Sequence, residues 1–252
     1  MRQAKCCPVL ANVLAGALLL SLAVNWFIYQ RARQYYTQLN GIRLDPLGLS
    51  YFAEDEIKID HRRITAVFLG DSRAEFWPAP HNQPQLQFIN RGISSQTSVQ
   101  VRLRFDEQVR PLSPNILILQ VGINDLTRLP IFPHLQTDII TNCQENIRWL
   151  VDQATEMGTT VILTTVFPTG DVPLIRRPFW SDQIETAVLD INSAIRSLES
   201  EQVIIFDAFE LLIDEDGHLQ DNYAQDELHL NAEGYNHLNQ ELQLLLESLA
   251  PP

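Results

Sequence analysis

Two apolar, largely β-branched runs, residues 64–69 and 116–121, each break directly into a glycine-led polar block: Gly70-Asp71-Ser72-Arg73 and Gly122-Ile123-Asn124-Asp125. A short run without a polar face predicts a strand covered on both sides, which is the condition of a parallel sheet. The polar blocks then emerge at the carboxyl edge of that sheet, where open α/β sheets bind ligands. Further strands are expected over 86–90, which leads to an isolated Gly92, and over 160–166 and Val203–Phe206. Helices are expected between them at 95–109, 138–157 and 184–198, with Pro111 and Pro114 marking one turn and Gly158 ending the second helix. A last helix starts after Asn231, a suitable N-cap, and places Leu238, Leu242, Leu245 and Leu249 on one face. Strands alternating with helices predict an α/β three-layer sandwich around a mainly parallel sheet, with no internal repeat.

A fourth block, Asp226-Glu227-Leu228-His229, supplies what the strand-end blocks lack. A serine hydroxyl is a weak nucleophile at neutral pH unless a base takes its proton, and histidine titrates in the right range. Ser72 is therefore the candidate nucleophile, His229 the base and Asp226 its orienting acid. On a turn, a separation of three residues puts Asp226 and His229 on one face, so the carboxylate can hold one ring nitrogen while the other meets Ser72. Acyl transfer also needs donors aimed at the developing oxyanion. The backbone N–H groups of Ser72 and Gly92 and the side-chain amide of Asn124 are the candidates, and Gly92 has no side chain to obstruct the substrate oxygen. Singly, each block is also an ordinary turn or helix cap. Their conjunction, in this order, is what points to catalysis.

In this order and spacing the blocks resemble the SGNH (GDSL-type) hydrolases, a family of esterases, lipases, thioesterases and acyltransferases, over about residues 64–247. Gly70-Asp71-Ser72 matches the nucleophile block, Gly92 the lone glycine, Gly122–Asp125 the Gly-x-Asn-Asp block and Asp226–His229 the Asp-x-x-His block. The resemblance implies an SGNH/flavodoxin-like fold, a Ser72–His229–Asp226 triad, and supporting roles for Asp71 and Asp125; with no metal-ligand spacing and no glycine-rich phosphate loop in the chain, no cofactor or metal is expected. The leucine usual after the family's serine is Arg73 here.

Residues 9–28 carry no charge, and as a helix they would span about 30 Å, one bilayer core. The run ends in Trp26, Phe27 and Tyr29, an aromatic belt rather than a small-residue cleavage site. Residues 1–30 are thus expected to be a single-pass membrane anchor or uncleaved signal, 31–63 a stalk, and 64–252 the catalytic domain, lying outside the cytoplasm; a cleaved signal and a secreted or periplasmic enzyme is the alternative. Arg2 and Lys5 precede the run and Arg31 and Arg33 follow it, so charge sets no orientation. Cys6 and Cys7 could carry acyl chains but are read as unmodified. Cys143 is the one other cysteine, so the body holds no internal disulfide.

The chain carries a net charge of −13, and since those four cations are its only charges before residue 36, the remainder carries −17. With no basic stripe, nucleic acid is excluded as a partner. The five other histidines, His61, His81, His134, His218 and His237, have no ligand spacing. Arg73 and Arg91, beside the serine and the glycine, suit either an anionic substrate or, the favoured reading, salt bridges to the many carboxylates. The segment 167–180, rich in proline and aromatics, is an ordinary loop or a wall of the substrate pocket. The expected partner is a small-molecule, lipid or glycan ester. Hydrolysis is the leading reaction; acyl transfer to or deacetylation of a glycan uses the same residues, and a silent binding module on a membrane stalk is the reading from another class.

Overall fold

The computed structural model describes residues 8–55 and 57–249; Arg2, Lys5, Cys6 and Cys7, on which topology and acylation were argued, lie outside them. The chain divides into two units, 1–48 and 49–252. The first is one helix, α1 (Pro8–Leu44), none of whose residues is buried. It is long and apolar enough to cross a membrane. It also runs fourteen residues past position 30, where a stalk without regular structure was expected, because 31–44 is rich in residues that favour helix without needing an apolar face.

The second unit holds a five-stranded, all-parallel sheet of β1 (Ile64–Gly70), β2 (Leu86–Gly92), β3 (Ile116–Gln120), β4 (Thr160–Thr164) and β5 (Val203–Phe206), in the order β2-β1-β3-β4-β5. The short helices are α2 (Ser72–Glu75), α3 (Ser98–Leu103), α4 (Phe105–Gln108), α5 (Ile123–Leu126) and α8 (Ala208–Leu212). The long ones are α6 (Gln136–Glu156), α7 (Gln183–Arg196) and α9 (Ala232–Leu249).

Strand periodicity sorts the core into two layers. Val67, Leu69, Leu117, Leu119, Val161 and Leu163 face α3, α4, α6 and α7. Their neighbours Ala66, Phe68, Ile116, Ile118 and Ile162 face α8 and α9, where Leu238, Leu242 and Leu246 are fully buried. The three-layer α/β/α sandwich is thus the observed fold. The expected helix 95–109 is broken into α3 and α4 at Arg104, whose side chain is drawn into the core instead of following the helix surface. Residues 49–55 and 57–59, expected in the stalk, belong to this unit: Ile57 and Ile59 lie against its core, and Phe52 lies under the Arg91 guanidinium, 4.2 Å from ring centroid to charge.

Candidate active site

β1 pairs with β2 on one side and β3 on the other, so the chain reverses its direction of growth at β1 and opens a crevice beyond its carboxyl end. Gly70 closes the strand at φ +154, and a Cβ there would sit 1.6 Å from the Gln120 carbonyl oxygen. That close approach turns the chain sharply into α2, with Asp71 as N-cap accepting from the Arg73 N–H at 2.9 Å. Ser72 opens the helix, 6% exposed. Its backbone N–H has no protein acceptor among the described residues.

His229 reaches Ser72 from the turn before α9. Its Nε2 lies 3.0 Å from Ser72 Oγ, and its Nδ1 lies 2.9 and 2.8 Å from the two Asp226 oxygens. Asp226 Oδ1 also accepts the Leu228 and His229 N–H groups at 2.8 Å each, so the carboxylate builds the turn that presents the ring. Burial pushes the Asp226 carboxyl up, but the hydrogen bonds from His229 and the Leu228 N–H outweigh it and hold it below the ordinary 3.8. Asp226 is thus a carboxylate at neutral pH, and its hydrogen bond fixes the ring tautomer with Nε2 free to accept from Ser72.

Asn124 Nδ2 donates one hydrogen to the Gln96 carbonyl at 3.1 Å, which aims the amide and leaves its second hydrogen available. Gly92 is placed at the crevice through its register with Gly70, but its N–H donates to Asn90 Oδ1 at 2.8 Å. Its lack of a side chain serves packing: a Cβ would fall 2.1 Å from the Glu75 backbone nitrogen in α2. Asp71 is fully buried with one oxygen unpaired, and burial raises it from 3.8 to about 6. Asp125 accepts from the Ser98 N–H at 2.8 Å and the Ser98 hydroxyl at 2.7 Å, and burial raises its carboxyl despite those bonds.

Several residues without a motif hold these groups in place. Arg73 is completely buried and donates to the carbonyls of Leu228 (2.8 Å), Phe167 (3.1 Å) and Pro168 (3.4 Å). Burial lowers its pKa to about 10, so it remains a cation. Arg104 donates to Gly70 O at 2.9 Å and to Gln96 Oε1 at 2.6 Å, and so steadies both the turn into Ser72 and the partner of Asn124. Asn90 Nδ2 caps α2 through the Ala74 carbonyl at 2.8 Å. The expected salt bridges are found for Arg91, paired with Asp55 at 2.9 Å, and not for Arg73, whose partners are carbonyls. The 167–180 segment is tied to the Asp226–His229 turn by Gly170 N–H to Glu227 O at 3.1 Å and by the Arg176–Glu227 ion pair at 3.0 Å. Among the described residues no group of three or more His, Cys, Asp or Glu side chains could hold a metal ion.

The sequence profile of the GDSL-like lipase/acylhydrolase family matches residues 64–237. No curated protein sequence matches the chain. Among solved structures, a GDSL-like lipase from Bacteroides thetaiotaomicron superposes with a TM-score of 0.66 at 23% identity, over 81% of this chain and 99% of that one. An acetylxylan esterase from Geobacillus stearothermophilus, in a catalytic-mutant form, superposes at 0.53 and 20% identity, over 75% and 95%. A further acetyl xylan esterase, AlAXEase, gives 0.58 and 17%, over 73% and 100%. At these identities the likeness is one of fold.

Proposed function

The chain belongs to the GDSL-like lipase/acylhydrolase family, and from that premise we propose that it is a membrane-tethered serine esterase using a Ser72–His229–Asp226 triad. The observation that carries this reading is the continuous line from Ser72 Oγ to His229 Nε2 at 3.0 Å and from His229 Nδ1 to Asp226 at 2.8 Å. Ser72 Oγ attacks the ester carbonyl carbon while His229 Nε2 takes the hydroxyl proton. The carbonyl electrons move onto oxygen, where the Ser72 N–H and the second Asn124 amide hydrogen stabilise them; the Gly92 N–H joins only by leaving Asn90. Collapse breaks the ester C–O bond, and the alcohol departs with the proton from His229. Water then attacks the acyl-serine with His229 again as base, releasing the acid and restoring Ser72.

Short acyl groups are the favoured substrates, in keeping with structural neighbours that are named acetylxylan esterases. The long apolar helix α1 serves as the tether. The test is hydrolysis of p-nitrophenyl acetate and longer p-nitrophenyl esters by the full chain in detergent micelles, beside Ser72→Ala. Turnover that falls at least about a thousandfold in the variant supports the reading. Equal turnover by both proteins, or none by either, removes it.

A further inference from the structure

We infer that the cavity beside the oxyanion residues accepts a carboxylate carried by the ester substrate, so that the favoured ester bears a single negative charge away from its scissile bond. This rests on the esterase reading for its place in catalysis, while binding at the cavity can be measured without it.

The cavity, of about 440 Å³, is lined by Thr97, Arg102, Asp125, Arg128 and Asn146, among others, with Ile139 on its apolar side. It lies one residue from the oxyanion machinery at two points. Thr97 follows Gln96, whose carbonyl aims the Asn124 amide, and Asp125 follows Asn124 itself. The cavity wall is thereby continuous along the chain with the residues that place the Asn124 amide, and the ester of the proposed reaction would extend from Ser72 to that wall.

The charge of the wall is unusual for this chain. Outside the first 35 residues the net charge is −17, and the ion pairs among the described residues employ Arg62, Arg91, Arg110, Arg176 and Arg196. Arg102 and Arg128, both half-buried, are paired with no described carboxylate although carboxylates abound. Each is nonetheless held in place. Arg102 donates to Asn146 Oδ1 at 3.0 Å and lies over the Trp149 ring, 4.8 Å from its centroid. Arg128 donates to Thr127 Oγ1 at 3.0 Å. These contacts fix the guanidinium groups and leave both positive charges uncompensated except by Asp125.

Asp125 decides the charge of the ligand. Its oxygens are turned to Ser98, and Asn146 Nδ2 donates to the Ser98 hydroxyl at 3.0 Å, so a chain of hydrogen bonds runs from Arg102 through Asn146 and Ser98 to the carboxylate. Two cations and one carboxylate leave the wall with one net positive charge, which a monoanion neutralises and a phosphate dianion overshoots. Guanidinium forks also match the planar geometry of a carboxylate.

The experiment uses the full chain in detergent micelles. Calorimetry compares glutaramate, a monoanion, with neutral glutaramide and with inorganic phosphate. Kinetics compare 4-nitrophenyl hydrogen glutarate with 4-nitrophenyl pentanoate, for charge on the acid side, and 4-acetoxybenzoate with 4-acetoxybenzamide, for charge on the alcohol side. Glutaramate should bind and glutaramide should not, and one ester pair should show a preference of about tenfold or more in kcat/KM for its charged member, lost in Arg102→Gln and Arg128→Gln. The pair that responds tells which side of the ester the cavity holds. The wild-type comparison of glutaramate with glutaramide needs no variant to fold. Arginine-dependent binding of glutaramate without turnover of any ester leaves the subsite standing and removes the esterase. No discrimination between glutaramate and glutaramide, a preference that survives both substitutions, or tighter binding of phosphate overturns the inference.

Discussion

The Arg73 guanidinium donates to the carbonyl of Leu228 at 2.8 Å, joining the residue after Ser72 to the residue before His229. Two halves of the site, 155 positions apart in sequence, are thus connected by one buried cation whose remaining donors hold the chain after β4. Replacing it by leucine, the residue usual in the family, strands three carbonyls, two of them buried, and costs about 3 kcal/mol of stability. Arg73→Leu should also lower kcat by about ten- to a hundredfold with little change in KM, because it displaces the base rather than the substrate. Thermal unfolding and steady-state kinetics check both. An unchanged kcat would contradict the positioning role.

Asp226→Asn keeps the shape of the turn but removes the carboxylate that selects the His229 tautomer. Loss of about 10⁴ in kcat is the expected outcome, the scale seen when a triad aspartate is amidated. The Ser72-dependent hydrolysis rate measures it, and a loss below tenfold would assign Asp226 to the turn alone.

Asn124→Ala removes the side-chain donor and should reduce kcat by about 10²–10³ with KM nearly constant. Asn90→Ala releases the Gly92 N–H and at the same time uncaps α2. Kinetics alone would mix those effects, so its melting temperature is read alongside its kcat.

Gly92→Ala tests packing directly. The added methyl would lie 2.1 Å from the Glu75 nitrogen and 2.5 Å from its Cα, both rigid backbone atoms of the helix that carries Ser72. The helix must move, and the variant should be destabilised by about 3 kcal/mol or more and lose most activity. A native melting temperature with full turnover would contradict this geometry.

Asp71 gives the fold a pH dependence of unusual sign. Its folded pKa, about 6, lies above the unfolded 3.8, so between these values the folded state holds the extra proton. Stability from this group is therefore greatest below pH 4 and declines as the pH rises to 6, by about 3 kcal/mol in all. Asp71→Asn retains a cap on α2 and removes the ionisation. Its melting temperature should exceed that of the wild type at pH 8, and the difference should shrink toward pH 4. A gap independent of pH would show that Asp71 ionises freely in the fold.

The sequence made the sheet legible because buried parallel strands leave apolar runs, and it made the Ser72–His229–Asp226 contact legible because these residues lie in short polar blocks, Ser72 at a strand end and Asp226 and His229 before the last helix. It did not show Arg73 as an internal clamp. The partners of that side chain are backbone carbonyls, which every residue possesses, so no spacing records the contact. The same holds for Arg104 and Asn90, whose acceptors include the carbonyls of Gly70 and Ala74. Gly92 was legible as a required glycine, but its reason was not: the backbone it must admit belongs to α2, brought close only by the pairing of β1 with β2. The helix through Leu44 was missed because periodicity reports burial, and a helix exposed on every side has none.

The most direct test of the account is reaction of the full chain with a fluorophosphonate, followed by mass spectrometry to locate the adduct. One phosphonyl group is expected on Ser72 Oγ, absent from Ser72→Ala and strongly reduced in His229→Ala, because only a serine deprotonated by its histidine reacts at a useful rate. An unmodified Ser72 in a folded protein, or an adduct that survives both substitutions, would contradict it.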